Sequence, residues 1–173
     1  KFIGPTPIDF DERPQMYDEV CVWKDLCKFD LQKMVEQDIK KIGVIFNLDK
    51  HTGPGTHWTS LFIDLQDKFI FYFDSAGDSI PSEINKLVEK VMHQGLELDK
   101  PIHFQYYDTD NYMHQRGNNE CGMYSLFMII TMLTNRVESK VFKNKKQKLD
   151  YFIKQRIPDT QVFKKRKIYF NEE

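Results

Sequence analysis

The sequence predicts an α+β fold, in which helices and strands share one hydrophobic core. Two neighbouring runs, residues 57–65 and 68–74, are rich in Phe, Ile, Leu and Tyr and are joined by a short polar link, which is typical of paired strands. Residues 84–92 carry apolar groups at the i, i+3, i+4, i+7, i+8 spacing of a one-sided helix. Residues 121–133 are apolar nearly all round, which predicts a helix buried in the core.

The N-terminal part of the chain is expected to be an irregular opening followed by a helix, a strand and a loop. Residues 4–14 contain three prolines and a glycine and show little periodicity, so no regular element is expected there. A helix is predicted over residues 30–40, with Asp30 as its N-cap, because the apolar residues have helical spacing. Residues 43–48 read as a short buried strand, and the turn-forming residues 51–55 lead to the next strand.

The pairing of residues 57–65 with residues 68–74 predicts the relative position of His57 and Asp74. If Gln66 and Asp67 form a two-residue hairpin loop, antiparallel pairing places residue 65 opposite 68 and residue 59 opposite 74. Asp74 then lies diagonal to His57, at the same end and on the same face of the pair. The sequence therefore predicts that the Asp74 carboxylate approaches the His57 ring.

The later elements complete a single predicted domain over residues 1–173. Residues 101–107 are predicted to form a strand, and the polar residues 108–120 a loop that leads to the buried helix. Two shorter helices are expected after it, one containing Leu149 and Phe152 and one beginning near Pro158. Because the first residue is Lys rather than Met, a fragment of a longer chain is compatible with the sequence.

Charge is balanced overall, with 25 Lys and Arg against 26 Asp and Glu, but it is unevenly placed. From Lys140 to Lys167 the chain carries eleven Lys or Arg and two Asp, a formal charge of +9. Such a segment is either a surface for nucleic acid or another polyanion, or a solvated helical face. The lysines are not interleaved with stacking aromatic residues, so both interpretations stay open. The apolar stretch 123–133 is too short to span a bilayer, and no membrane partner is expected.

The three cysteines, Cys21, Cys27 and Cys121, cannot all pair with one another. A disulfide between Cys21 and Cys27 has no other feature in its favour, so both are predicted to be small core residues in a reducing intracellular compartment. No spacing of Cys or His is typical of a zinc site, so neither a metal nor another required cofactor is expected.

Cys121 is predicted to be a nucleophile. A cysteine at the first turn of a helix lies at the positive end of the helix dipole, where free N–H groups stabilise a thiolate and an adjacent oxyanion. Gly122 leaves that backbone accessible to a substrate. For Cys121 alone, an inert packed cysteine would be the better interpretation; the residues that accompany it reverse this.

Three other side chains supply the remaining roles of cysteine nucleophilic catalysis. His57 is predicted to accept the thiol proton and later protonate the leaving amine, while Asp74 orients its ring. Gln115 lies six residues before the cysteine and can direct its amide N–H at the oxyanion. Trp58 is expected to narrow the channel to substrates with small side chains. His114, next to Gln115, is a weaker candidate for a substrate contact.

These motifs, taken together, resemble the ubiquitin-like-protein protease and adenain family of cysteine peptidases: His57-Trp58, Asp74-Ser75, Gln115 and Cys121-Gly122. Residues 52–58, 74–78 and 114–127 are most similar to the polyprotein-processing proteases of large DNA viruses, of the African swine fever virus type. The resemblance covers residues 40–135 well and the two ends more loosely. In papain itself the cysteine precedes the histidine, so the order of the motifs excludes that family.

The resemblance implies a papain-like-superfamily variant with a central mixed β-sheet flanked by helices and the nucleophile at the N-terminus of a buried helix. It also implies cleavage after Gly-Gly. Viral relatives process structural polyproteins during particle maturation, which would place the protein in the host cell cytoplasm and the virion. Cellular relatives trim SUMO or related modifiers. Because adenain is stimulated by DNA, stimulation by DNA or another polyanion through the segment from Lys140 to Lys167 is a further expectation.

A viral polyprotein endopeptidase is the preferred function, and three alternatives stay open. The nearest is a protease that deconjugates SUMO, ubiquitin or a similar modifier, which would use the same catalytic residues. An acetyltransferase could pass the thioester to an amine with the same constellation. A nucleic-acid-binding module without catalysis is the last alternative, and the complete set of catalytic residues disfavours it as the main role.

Overall fold

The computed structural model describes residues 1–14 and 20–170. Within these ranges the chain forms a five-stranded sheet in the order β1-β2-β3-β4-β5. The strands are β1 (Phe2–Pro7), β2 (Lys41–Asn47), β3 (Trp58–Asp64), β4 (Phe69–Phe73) and β5 (Gln105–Tyr107). The two outer pairs are parallel and the two inner pairs antiparallel, so the sheet is mixed, as predicted.

Helices cover both faces of this sheet in the described part of the chain. They are α1 (Lys24–Cys27), α2 (Leu31–Glu36), α3 (Ser82–Glu97), α4 (Cys121–Thr134), α5 (Lys145–Ile153), α6 (Asp159–Phe163) and α7 (Arg166–Phe170). A small hairpin of β6 (Arg136–Val137) and β7 (Lys140–Val141) follows α4. Among the described helices, none combines the length and the apolar character needed to cross a membrane.

The register of β3 with β4 is the predicted one. Ser60 pairs with Phe73 and Asp64 with Phe69, which is the same alignment that would place residue 59 opposite 74. Both strands are shorter than predicted because residues 65–68 form the turn between them. His57 therefore lies immediately before β3, and Asp74 immediately after β4, at the same edge of the sheet.

The alternation of side chains along the strands divides the core into two clusters. Leu61 and Ile63 of β3 pack with the apolar face of α3, whereas Phe62 between them packs with α4. Helix α4 approaches β2 so closely that a Cβ atom on Gly43 would lie 2.8 Å from the Ile129 side chain. A glycine inside a buried strand is thus explained by the position of the helix that carries the nucleophile.

The first strand corrects the expectation of an irregular opening. Residues Phe2–Pro7 form β1, which pairs in parallel with β2 and buries Ile3 and Thr6. The register shifts between Ile3 and Thr6, so that Pro5 falls outside the regular pairing. Prolines fit here because β1 is an edge strand, where one row of backbone N–H groups needs no partner.

The prediction that Cys21 and Cys27 are unpaired is wrong, because the two residues form a disulfide. Their Cα atoms lie 6.5 Å apart, within the range that a disulfide spans, since the short helix α1 folds Cys27 back toward Cys21. The expectation of a reducing compartment rested on unpaired thiols and loses that support. Cys121 is the free cysteine.

Most cations of the segment from Lys140 to Lys167 already have a partner within the protein. Lys146 and Lys154 both pair with Asp150, and Arg156, Lys165 and Arg166 each pair with a carboxylate. Lys148 is 2% exposed and lies 3.5 Å from Asp67, and burial lowers its pKa. This pairing favours the interpretation of the segment as a structural, partly solvated surface.

Candidate active site

The predicted base, its orienting acid and the nucleophile meet at one edge of the sheet. His57 Nε2 lies 2.8 Å from Asp74 Oδ1, and the ring also forms a hydrogen bond with Cys121. Because Nε2 faces the carboxylate, Nδ1 is the ring nitrogen left for the sulfur. Asp74 is 1% exposed, and Cys121 is the first residue of α4, as predicted.

The surroundings of His57 favour the imidazolium. The hydrogen bond to Asp74 and then that to Cys121 raise the pKa of His57 to about 10, against the opposing effect of partial burial. A buried carboxylate beside a histidine has this effect because it stabilises the positive charge at short range. The ring is therefore protonated at neutral pH.

The surroundings of Cys121 favour the thiolate. Burial raises the pKa of the thiol, but the His57 hydrogen bond, the backbone N–H groups of Trp58 and Gly122, and the imidazolium charge outweigh it, so the pKa is lowered. Gly122 contributes from the first turn of α4, where N–H groups have no partner within the helix. The raised pKa of His57 and the lowered pKa of Cys121 both favour a thiolate–imidazolium pair, which is the reactive form of a cysteine nucleophile.

Thr109 fixes the backbone of Asp74, and sequence reasoning missed it. Its hydroxyl accepts a hydrogen bond from the Asp74 backbone N–H and donates one to the Asp74 carbonyl, both at 3.0 Å. Asp74 Oδ1 also accepts from the backbone N–H of Ala76 at 2.8 Å. The carboxylate that orients His57 is thus held by the turn that follows β4. Nothing in the sequence around Thr109 indicates this contact, because 35 residues separate it from Asp74.

Asp49 plays a corresponding part in the loop before His57. Its carboxylate accepts hydrogen bonds from the backbone N–H groups of Gly55 and Thr56 at 2.8 and 2.9 Å, and from the Thr56 hydroxyl at 3.0 Å. Gly55 has a φ of 84°, which L side chains rarely adopt. The loop can therefore turn sharply and deliver His57 to the edge of the sheet.

Ser75 holds the predicted oxyanion donor, Gln115, near the site. The Ser75 carbonyl accepts the backbone N–H groups of His114 and Gln115, both at 2.9 Å, and the Ser75 hydroxyl donates to Gln115 Oε1 at 2.8 Å. Gln115 Nε2 donates to the Gly117 carbonyl at 2.6 Å, which leaves the second N–H of the amide for a ligand. The role of Gln115 as an oxyanion donor stays a prediction.

Trp58 stands between two clefts. One cleft, of about 710 Å³, is lined by Trp58, Trp23 and Cys21 on the side of β1. The other, of about 670 Å³, is lined by Trp58, Cys121 and Gly122 together with apolar side chains. A Cβ atom on Gly122 would lie 3.9 Å from the indole ring, so Trp58 covers the first turn of α4. The two predicted substrate-binding residues thus adjoin the nucleophile.

His114 cannot contact a substrate, contrary to the weaker expectation from its position beside Gln115. It is fully buried among the rings of Phe73, Tyr112 and Tyr124, and its Nδ1 accepts the Ile157 backbone N–H at 3.1 Å. Burial lowers the pKa of His114 to about 4, so the ring is neutral. In the described residues no cluster of three or more His, Cys, Asp or Glu side chains could hold a metal ion.

A model of the Ulp1 protease family, C-terminal catalytic domain, matches residues 19–165. The chain belongs to this cysteine protease family. It is 31% identical to the cysteine protease S273R of African swine fever virus (isolate Tick/Malawi/Lil 20-1/1983) over 163 residues, which are 91% of this chain and 55% of the relative. A protein named SUMO-1 cysteine protease S273R, from isolate Pig/Kenya/KEN-50/1950 of that virus, gives the same identity and coverage.

The fold is similar to the crystal structure of the African swine fever virus pS273R protease, with a TM-score of 0.59 and 32% identity. The similarity covers 73% of this chain and 42% of that one. The Ulp1-family domain therefore spans about half the length of the curated relatives it matches. The predicted fold class, enzyme class and family are confirmed.

Asp74→Asn is expected to reduce kcat/KM by on the order of 10²- to 10⁴-fold, because the amide neither stabilises the imidazolium nor fixes its tautomer. The substitution should also lower the pKa of His57, which the carboxylate holds at about 10. Activity is lost as pH rises through this pKa, so the alkaline limb of the kcat/KM profile should move to lower pH. A pH–rate profile of both proteins checks this.

Asp38→Asn is the matched control, because Asp38 is exposed and pairs with Lys40 far from the site. It should leave the profile unchanged. An alkaline limb that stays in place in Asp74→Asn would show that Asp74 does not set the protonation of His57.

Proposed function

We propose that this Ulp1-family domain is a thiol endopeptidase that cleaves after Gly-Gly in viral structural polyproteins during particle maturation. The observation that carries the chemistry is the contact of His57 with both Asp74 and Cys121. The observation that supports glycine at the cut is Trp58, whose ring lies over Gly122 beside the sulfur. The proposed setting is the host cell cytoplasm and the virion.

In the first step the Cys121 thiolate attacks the carbonyl carbon of the glycine before the cut. The carbonyl electrons move to oxygen, and the resulting oxyanion is stabilised by the backbone N–H of Cys121 and the free amide N–H of Gln115. The position of Cys121 at the start of α4 and the hydrogen bond from Ser75 to Gln115 Oε1 support this assignment of the two donors. Preorganised donors of this kind lower the barrier because they need no rearrangement.

In the second step the tetrahedral intermediate collapses to a thioester. The C–N bond breaks, and the leaving amine takes the proton of the His57 imidazolium. The neutral ring then accepts a proton from a water molecule, which attacks the thioester, and the protonated ring restores the thiolate pair when the acid product leaves. Asp74 keeps the ring in one orientation through both steps.

The preference for Gly-Gly follows from the space beside Cys121. Trp58 lines both clefts, and in the proposed binding mode the substrate backbone runs past its ring from one cleft to the other. In that binding mode a side chain on either of the last two residues before the cut is expected to meet the indole ring, whereas glycine would leave the backbone free to approach. One added methyl group in so narrow a passage is worth about 10- to 200-fold in kcat/KM.

A deconjugating protease for SUMO or a similar modifier is the second candidate. The name SUMO-1 cysteine protease given to a relative with 31% identity favours it. The catalytic steps would be the same, and the difference would lie in a surface that binds a folded modifier.

Two matched substrates distinguish these functions: a flexible peptide with an internal Gly-Gly-Xaa site and a folded SUMO or ubiquitin reporter that ends in Gly-Gly before its label. Cleavage of the peptide at least as fast as the reporter is expected. A strong preference for the reporter would replace the polyprotein function with deconjugation. Acyl transfer to an added amine with no cleavage of either substrate would favour a transferase, and the Cys121→Ala variant controls for contaminating activity.

Stimulation by DNA or another polyanion stays a separate proposal. The cations from Lys140 to Lys167 would be its contact surface, but several of them are committed to Asp150, Glu138 and Glu120. We therefore propose that the chemistry itself requires no cofactor and that any polyanion acts on the rate alone.

A further inference from the structure

We propose that Asp159 is a positioning residue of the oxyanion site, which ties the loop that carries Gln115 to the helix that carries the nucleophile. Asp159 begins α6, far from the catalytic residues in the sequence, and none of the sequence motifs includes it. This inference rests on the proposed function, because it assigns a means of control to the same site.

Asp159 contacts the loop that carries Gln115. Its Oδ2 accepts hydrogen bonds from the backbone N–H of Arg116 at 3.1 Å and of Gly117 at 2.9 Å. These two residues follow Gln115 directly. A carboxylate that accepts two successive backbone N–H groups fixes the local direction of the chain, since both bonds have to be broken for the loop to move.

Asp159 also contacts α4, the helix that begins with Cys121. Asp159 Oδ1 lies 2.7 Å from the hydroxyl of Tyr124, which is fully buried and stands one helical turn after Cys121. The same hydroxyl lies 2.6 Å from the Ile157 carbonyl, so these two acceptors share its single proton. One carboxylate therefore joins the loop to the nucleophile helix: among the described residues Oδ2 accepts only from the loop, whereas Oδ1 accepts from Tyr124 and, at 3.2 Å, also from the Arg116 backbone N–H.

The loop is in turn linked to the Gln115 side chain. Gln115 Nε2 donates to the Gly117 carbonyl at 2.6 Å, and Gly117 is held by Asp159. Ser75 fixes the opposite end of the same amide. The Gln115 amide is thus held at both ends, by Ser75 through Oε1 and by Gly117 through Nε2. Of these two partners, only Ser75 belongs to one of the sequence motifs. Loss of the Asp159 anchor would leave the Gly117 carbonyl free to move and the second amide N–H without a fixed direction.

Asp159 is charged under working conditions. Partial burial raises its pKa, but the hydrogen bonds from Tyr124, Gly117 and Arg116 and the positive charge of Arg156 outweigh this and lower it. Arg156 lies 3.5 Å away and is itself partly buried. The clamp is therefore a set of charge-assisted hydrogen bonds, which are stronger than neutral ones.

The test compares Asp159→Ala with Asp159→Asn in two assays: kcat and KM on the Gly-Gly peptide, and alkylation of Cys121 by iodoacetamide at neutral pH. Alkylation displaces iodide and forms no oxyanion, so it reports the thiolate pair alone. Asp159→Ala is expected to lower kcat by about 10- to 100-fold, a part of the ~10²–10³ that an oxyanion donor supplies, with KM and alkylation nearly unchanged. Asp159→Asn should recover most of kcat, because one oxygen can still accept from Gly117.

Asp150→Ala is the matched control, because it removes an aspartate from the neighbouring helix α5 that pairs only with lysines in the described structure. It should behave as the wild type. Tyr124→Phe removes the link to α4 and is expected to lower kcat less than Asp159→Ala, again with unchanged alkylation. If Asp159→Ala does not fold, Tyr124→Phe and Asp159→Asn are the variants that test the inference.

Wild-type kcat in Asp159→Ala, or in Tyr124→Phe where Asp159→Ala does not fold, would overturn the inference and leave the proposed function standing. A parallel loss of kcat and alkylation would also overturn it, because that pattern indicates general damage to the site. A wild-type protein that is alkylated at Cys121 but cleaves no Gly-Gly substrate would overturn the proposed function, and the role of Asp159 with it.

Discussion

Replacing Cys121 by alanine is expected to reduce turnover by on the order of 10⁶-fold, to the level of any uncatalysed background. In the proposed mechanism the sulfur is the atom that bonds to the substrate, and no other free cysteine lies among the described residues. A water molecule in the vacated space could not form a thioester, so the two-step route would be closed. The fold should survive, because loss of one partly packed sulfur atom costs only about 1 kcal/mol.

This prediction is checked by cleavage of the Gly-Gly peptide together with a denaturant unfolding curve for each protein. Thr134→Ala is the matched control, since it removes a small polar group from the exposed end of the same helix. Cleavage by Cys121→Ala at more than about one part in 10³ of the wild-type rate would be incompatible with this residue as the nucleophile.

Replacing His57 by alanine should cost nearly as much as replacing Cys121, and the two effects should not add. His57 lowers the pKa of the Cys121 thiol, and in the proposed mechanism it later supplies the proton that the leaving amine needs. Without either residue the other has no function in catalysis, so the double variant should be about as inactive as each single one. Residues that acted independently would instead multiply their losses.

The measurement is a double-mutant cycle of kcat/KM with His57→Ala, Cys121→Ala and the combined variant. His93→Ala serves as control, because His93 is exposed and pairs with Glu97 on α3. A double variant whose loss equals the product of the single losses would argue against a thiolate–imidazolium pair.

The strand pair shows how much of the site is local enough to be predicted from the sequence. The register of β3 with β4 follows from two apolar runs and a short link, so the approach of Asp74 to His57 can be deduced from residue order alone. Helix α4 is equally predictable, because an apolar run without a polar face has to be buried. Both inferences depend on residues that are close in sequence.

The features that sequence reasoning missed depend on contacts between distant segments. The prolines of β1 predict an irregular segment. The strand forms because it pairs in parallel with β2, and this pairing cannot be deduced from the residues of β1 alone. The disulfide of Cys21 with Cys27 requires the fold of α1, which is too short to give a periodic signal. Periodicity and propensity describe neighbours along the chain and carry no information about such pairings.

The layer of residues behind the catalytic set was missed for the same reason. Thr109 reaches Asp74 across 35 residues, and Asp159 reaches Gly117 across 42. Each is a common surface residue type with no distinguishing pattern around it. Residue types and their spacing were thus enough to propose the catalytic set, whereas the residues that position it could be identified only from the structure.

We expect Cys121, once activated by His57, to attack the carbonyl of a glycine that follows another glycine. A peptide whose last glycine of Gly-Gly carries a vinyl methyl ester in place of its carboxyl group tests this directly. The thiolate adds to the alkene carbon that lies where the scissile carbonyl would be, the C=C π bond opens, the neighbouring carbon takes a proton, and a stable thioether remains. Mass spectrometry should find one adduct, on Cys121, formed about 10- to 200-fold faster than with the matched Ala-Ala probe and far more slowly in His57→Ala. No adduct on Cys121, or equal rates for the two probes, would contradict the account.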